Sequence, residues 1–299
     1  GNWRDLLDVM LVRDVEPPLF IANQRGGAGF AAPVTPPEWP VARAMLIGDF
    51  NNDLRADAVF LTPDSVAVQL GGLKEPRRIP AKRNKLTQIR AMDFDNDGWL
   101  DLVAWGADGI RLWRNRGRLG FLEVTSAAGL GPQGRVLHLA AADVDNDGDT
   151  DLVVDIESRG TRILRNHGGN ANQQLKLRFF GNRSNPSGIG VKVEVAAGGW
   201  HALRSITQLP AEIGIGSHKR LDVVSTRWFD TRLDTSDVDV HSTQTLDVIE
   251  LTTSTGSCPN LYAWDGRQHR FVTDLLGASP LGLPVAEGRY IEADPEELV

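Results

Sequence analysis

A single cysteine, Cys258, stands among the 299 residues, so no internal disulfide can staple the fold. That fits a reducing compartment, and it fits equally an exported protein held together by metal. Tyrosine is nearly absent, with Tyr262 and Tyr290 the only two, and no apolar run approaches the roughly 18 residues that span a bilayer. No signal peptide is visible. Basic residues are outnumbered, 32 Lys and Arg against 39 Asp and Glu, and the formal net charge of -7 argues against nucleic acid as a partner. The six histidines (His138, His167, His201, His218, His241, His269) lie far apart and lack metal-ligand spacing. Gly214-Ile215-Gly216-Ser217-His218 lacks the second glycine of a nucleophile elbow, and Cys258 has no nearby histidine. Asp108, Asp155 and Glu157 are carboxylates that the sequence gives no way to pair. We therefore expect no enzyme activity from this chain.

What the chain does have is a repeat. Asp49-Phe50-Asn51-Asn52-Asp53-Leu54-Arg55-Ala56-Asp57 aligns with the nonapeptides that run from Asp93 to Asp101 and from Asp143 to Asp151. Each is preceded by a small apolar run and followed by a β-type run, a turn and a second β-type run, such as Gly109 to Trp113. The opening Gly1 to Leu7 looks like the tail of a degenerate fourth copy. Short strands that recur every 40 to 50 residues predict propeller blades, and no amphipathic helix pattern is present before residue 170. Four partial blades are too few to close most propellers, which use about 4 to 8. The expectation is a fragment, with further blades N-terminal to Gly1 and a larger multidomain chain around it.

The pattern Asp-x-Asp-x-Asp-Gly-x-x-Asp offers side-chain oxygens at positions 1, 3, 5 and 9 and a backbone carbonyl at position 7. Alternate residues of a tight loop converge on one hard cation, and Gly at position 6 supplies the left-handed backbone. The candidate ligands are Asp93, Asp95, Asp97, Trp99 (carbonyl) and Asp101 in the second loop. The third offers Asp143, Asp145, Asp147, Asp149 (carbonyl) and Asp151. The first offers Asp49, Asn51, Asp53, Arg55 (carbonyl) and Asp57, with Asn51 and Leu54 departing from the pattern. Many oxygens at flexible geometry suit Ca²⁺ better than Mg²⁺. An EF-hand is excluded, because position 12 is Ala104 or Val154, inside a strand-like run, where that motif needs Glu between helices.

On these loops the sequence resembles the FG-GAP/VCBS repeats of integrin-α-like β-propellers over residues 1–170. The resemblance implies a cation in each blade hairpin and a rigid recognition platform. The stretch from Asn172 through Gly181 to Asn185, Gly188 to Val195, Gly198-Gly199-Trp200, Leu209 to Gly216 and Val223 to Trp228 resembles the ASPIC/UnbV domain. That domain follows such repeats in bacterial proteins and in cartilage acidic protein. Here Phe229-Asp230-Thr231 stands where that family places Pro and then Gly. The fold expected is all-β: blades over 1–170, an ASPIC/UnbV-like β-domain over 171–250, and the start of a further β-module over 251–299, with a hairpin at Tyr262–Trp264 and Phe271–Thr273. Gly188, Gly190, Gly198 and Gly199 read as hairpin turns, and Trp105 and Trp113 as core.

The function expected is a calcium-binding module for adhesion, recognition or assembly, in an extracellular, cell-surface or periplasmic setting. Its ligand would be a protein or glycan, with no membrane insertion. The alternatives are a secreted carbohydrate-active enzyme whose catalytic residues lie in other domains, and a structural spacer. The basic stretch Lys74, Arg77, Arg78, Lys82, Arg83 and Lys85, with Pro76 and Pro80, reads as an exposed connection or blade edge that could meet a polyanion. Asn182-Arg183-Ser184 fits the glycosylation sequon.

Overall fold

The computed structural model describes residues 8–13, 15–24, 29–71, 75–81, 85–182, 185–228, 233–239, 245–250, 260–267, 269–274, 284–286 and 289–290. The opening copy at Gly1 to Leu7, Cys258, and the Phe229–Thr231 departure lie outside them. Residues 1–250 form one compact unit and residues 251–299 a second. Among the described residues the only helical turns are two of 3-10 type, Gly117–Leu119 and Gly169–Ala171, and none is long and apolar enough to cross a membrane.

The first unit opens on a hairpin, β1 (Val9–Leu11) with β2 (Leu19–Ile21). Three antiparallel meanders follow. The first orders β3 (Ala44–Gly48), β4 (Asp57–Leu61), β5 (Ser65–Gln69) and β6 (Arg77–Pro80); the second orders β7 (Leu86–Met92), β8 (Asp101–Gly106), β9 (Gly109–Asn115) and β10 (Phe121–Glu123); the third has β11 (Val136–Ala142), β12 (Asp151–Ile156) and β13 (Gly160–Leu164). These are propeller blades, each sheet packed face to face on the next.

The second strands show why. In β8, Leu102 and Ala104 pack with Val59 and Leu61 of the first sheet and Phe50 of its loop, whereas Val103 and Trp105 pack with Leu152, Val154 and Ile156 of the third. A period of two puts one set on each face, and both faces are covered, so the strand reads as an unbroken apolar run. Trp113 is fully buried and Trp105 nearly so, as core residues. The far face of the first sheet carries Phe60 against Trp39, which in turn meets Phe20 of β2 edge-on. The far face of the third sheet is open: Ile163 is 53% exposed. Of the basic segment, Lys74, Lys82 and Arg83 lie outside the described residues, and Arg77 and Arg78 take the blade-edge alternative. Arg77–Pro80 forms β6, the outer edge of the first blade, where the N–H that Pro80 lacks costs no ladder bond.

From residue 174 the pattern changes to a β-sandwich. One sheet orders β17 (Ala211–Gly214), β14 (Gln174–Phe180) and β20 (Thr245–Ile249), the last pair parallel. The other orders β16 (Trp200–Ser205), β15 (Lys192–Ala197), β18 (Arg220–Arg227) and β19 (Leu233–Asp239). Their inner faces close over Leu175, Val193, Val195, Ile213, Leu221 and Trp228. Gly188, Gly190 and Gly198 take positive φ in the turns; at Gly188 a Cβ would also collide with Phe179. In the second unit β21 (Asn260–Trp264) and β22 (His269–Asp274) form the expected hairpin, turned at Gly266 with φ of 93°, and β23 (Pro284–Ala286) pairs with β24 (Arg289–Tyr290).

Candidate metal centre

All three Asp-rich loops join the first and second strands of a blade, and all three fold by the same local rules. The first Asp accepts the backbone N–H groups of positions 5 and 6: Asp93 from Asp97 (3.1 Å) and Gly98 (2.8 Å), Asp143 from Asp147 (3.2 Å) and Gly148 (2.9 Å), Asp49 from Asp53 (3.1 Å) and Leu54 (3.0 Å). The ninth, already in the second strand, accepts the position 2 N–H. It also takes one from at or just past the end of the third strand: Asn115 to Asp101 (2.6 Å), Asn166 to Asp151 (2.7 Å), Gly71 to Asp57 (2.6 Å). The backbone turns left-handed twice per loop, at the position 4 asparagines Asn52, Asn96 and Asn146 and at position 6. Position 6 is Gly98 or Gly148 in two loops but Leu54, at φ of 65°, in the first.

This winding brings carboxylates together. Oxygens of Asp93, Asp95 and Asp101 lie within 4.8 Å of one another, as do those of Asp143, Asp145 and Asp151. Positions 1, 3 and 9 thus converge as the spacing requires. In the first loop Asp49 and Asp57 take the same backbone partners, with the Asn51 amide in place of the third carboxylate. The position 5 residues, Asp53, Asp97 and Asp147, stand outside these clusters; each accepts the N–H of position 7, at 2.9 to 3.0 Å. Of the position 7 residues, Arg55 is exposed, the Trp99 ring packs on Gly117, and Asp149 is fully buried beside Gly169.

The electrostatics of the clusters favour a cation. Burial, then the neighbouring Asp97, pushes the Asp93 carboxyl up to about 8, and burial with Asp93 pushes Asp101 well above the ordinary range. Burial likewise raises Asp49, Asp95 and, to about 6, Asp57 and Asp149. Carboxylates packed this closely out of water are costly to ionise unless a positive charge joins them. All the donors are hard oxygens, which suits a hard divalent cation.

Several partners had no place in the sequence reading. Arg114 pairs with Asp95 (2.6 Å) and Asp97 (3.0 Å), and Arg165 with Asp145 (2.9 Å). The next residue in each case, Asn115 or Asn166, donates its amide to the preceding loop, at Phe50 O (2.8 Å) or Phe94 O (2.6 Å). The recurring Arg-Asn dipeptide was the available signal. The position 4 asparagines lace the loops in the other direction, Asn52 to Gly98 O (3.0 Å) and Asn96 to Gly148 O (2.7 Å).

The sandwich covers this loop face. Arg204 donates to Gly98 O (2.8 Å) and Asn52 Oδ1 (3.3 Å), Gln174 to Asn96 Oδ1 and Thr150 Oγ1 (3.2 Å each), and Gly216 N–H to Asn96 O (2.8 Å). Lys176 forms a buried ion pair with Asp143 and also reaches Asn146 Oδ1 (2.6 Å), while Glu212 accepts the Asp143 N–H (3.0 Å). No metal or site motif announces these five sandwich residues.

The loop-to-strand geometry of the second and third blades coincides with a match to a known repeat. Residues 93–154 carry an FG-GAP-like repeat. No curated protein matches the chain. Among solved structures it is similar to the Tc holotoxin pore of Photorhabdus luminescens, at 19% identity over 73% of this chain and with a TM-score of 0.35. The chain spans 11% of that protein's length. It is also similar to an Agrocybe aegerita lectin described as recognising non-reducing terminal N-acetylglucosamine. There the identity is 14%, the coverage 78% of this chain and 85% of that one, and the TM-score 0.35. The FG-GAP-like match takes in both three-carboxylate clusters, with Asp49–Asp57 as a related loop before it.

Proposed function

We propose that this chain is a non-catalytic recognition module whose FG-GAP-like loops bind Ca²⁺ as structural staples. The observation that carries it is the convergence of three carboxylates within 4.8 Å in each of the second and third loops. With calcium bound, Asp93, Asp95 and Asp101 hold one ion and Asp143, Asp145 and Asp151 another; Asp97 and Asp147, and the carbonyls of Trp99 and Asp149, complete the shells. Asp49, Asn51, Asp53, Asp57 and the Arg55 carbonyl form a weaker third site. The ion neutralises buried charge and fixes each hairpin, so the blades meet a protein or glycan ligand with less ordering entropy to lose.

The same reading takes residues 171–250 as an ASPIC/UnbV-like module, supported by the separate sandwich core, and residues 251–299 as the start of a further β-module. It places the protein outside the cytoplasm, at the cell surface or in a periplasm, where millimolar-range calcium can fill such loops. Calorimetric titration of chelator-stripped protein with Ca²⁺ and with Mg²⁺, beside thermal melts, tests the proposal. Two or three calcium sites, a higher melting temperature and no response to Mg²⁺ are expected. A folded sample that gives no calcium heat and no stabilisation would overturn it.

A further inference from the structure

Between the first strands of the blades and the sandwich lies a cavity of about 690 Å³, within the range of small-ligand sites. Its blade side is built from β3 and β7, including Leu46, Ala91 and Met92; its sandwich side is β16 and the segment that follows, Ser205 to Gln208. Its lining mixes apolar side chains with eight charged ones, four acidic and four basic.

The charges that line it are unequally engaged. Asp49 and Asp93 accept loop amides, Glu212 accepts Asp143 N–H and faces the Thr150 hydroxyl, and Asp8 accepts Asn23 N–H. Arg204 is spent on Gly98 O, Asn52 Oδ1 and Leu203 O. Arg90 differs. It stands on the cavity-facing strand β7, half-buried, and its one hydrogen-bond partner among the described residues is the neutral side-chain amide of Gln208. Burial pulls its guanidinium pKa down, with the Glu212 charge as the opposing influence. A guanidinium has five N–H donors in a planar fork matched to a carboxylate or phosphate, and here one of its nitrogens has a hydrogen-bond partner among the described residues.

We propose that this cavity binds a small anionic ligand, a sugar acid or sugar phosphate, with Arg90 as the anchor for its charge and Gln208 as the residue that aims the guanidinium. The assignment deepens the recognition reading and rests on it. Arg55 and Lys192 also line the cavity, beside the four carboxylates already engaged with N–H donors.

The test uses the full chain in calcium, with binding of glucuronate, glucose 6-phosphate and glucose followed by calorimetry. One or both acids are expected to bind and glucose not; which acid binds tells carboxylate from phosphate. Arg90→Gln is expected to weaken that binding about tenfold or more, the scale of a lost charge-assisted pair, while calcium uptake stays unchanged. Gln208→Glu, which seats a carboxylate on the guanidinium from within, is expected to do the same and decides the matter if Arg90→Gln fails to fold. Binding of neither acid, equal binding of glucose, or indifference to both substitutions overturns the proposal. A protein that takes up calcium and melts higher with it but binds no acid refutes this ligand alone. One that ignores calcium refutes the stapling instead.

Discussion

At the scale of single residues, the three loops serve as internal controls for one another. Leu54 holds a φ of 65° at a position where the sister loops have Gly98 and Gly148, at 87° and 98°. A branched-chain residue in that region costs about 1–2 kcal/mol against its preferred backbone. Leu54→Gly is therefore expected to stabilise the protein by up to about 1 kcal/mol, since part of the relief is returned as chain entropy in the unfolded state. A chemical denaturation midpoint that falls, or does not move, would show that the Leu54 side chain gives back through packing what its backbone loses. Asp93 offers a signed dependence on pH. Its carboxyl is raised from its ordinary 3.8 to about 8 by burial and by Asp97, so the metal-free native state binds a proton that the unfolded state has released. Stability of the stripped protein then falls as pH rises between those two values, the reverse of a salt-bridged aspartate. Thermal melts at pH 5 and pH 8 after chelation should show the lower melting temperature at pH 8, and added calcium should narrow or abolish the gap. An unchanged gap in calcium would mean that the titrating group is not a ligand.

At the scale of elements, the loops do not act alone, because side-chain amides sew each to its neighbour. Asn96 is fully buried, gives its amide N–H groups to Gly148 O and Gly169 O and accepts from Gln174. Asn96→Ala leaves these groups unpaired out of water and also places alanine at a φ of 54°, so a loss of about 2–4 kcal/mol is expected. The informative readout is the third loop. Its calcium affinity should fall although none of its own residues has changed, whereas independent loops would lose affinity only in the second. How much of this was legible follows from distance along the chain. The Asp spacing and the strand periods are local, so the loops at Asp49, Asp93 and Asp143, the flanking strands and the hairpin at Gly266 could all be read directly. The lacing joins residues such as Asn115 and Phe50, 65 apart, and a dipeptide as short as Arg-Asn carries little weight until its partners are seen. The strand rank of Arg77–Pro80 stayed open between two readings for another reason: two prolines flanking basic residues look the same in an edge strand as in a connection.

At the scale of the molecule, the loop face of the blades is the floor on which the sandwich stands. Gly214 of β17 lies so close over the second loop that a Cβ there would meet the Asp93 carboxylate, and Gly98 in that loop leaves no room for a Cβ beneath the Trp200 ring. Lys176 and Arg204, both buried, put two cations of the sandwich among the loop oxygens, across as many as 152 residues of chain. Buried charges of this kind are tolerable only while their partners hold position. A cation that fixes the loops therefore also fixes what the sandwich rests upon, and removal of the ion should loosen both. Hydrogen exchange before and after chelation tests this directly. Amides of the three loops are expected to lose protection together with those of β14 and β17, the strands of Gln174, Lys176 and Gly214, while those of β18, on the sheet away from Lys176 and Gln174, change less. If the loops open and β14 and β17 keep their protection, the sandwich stands on its own core and the contacts of Lys176 and Arg204 are not needed to hold it. If instead all three strands and the loops exchange as one, calcium governs the folding of the whole first unit, and the Arg90 cavity, walled on one side by blades and on the other by sandwich, exists only in the calcium-loaded protein.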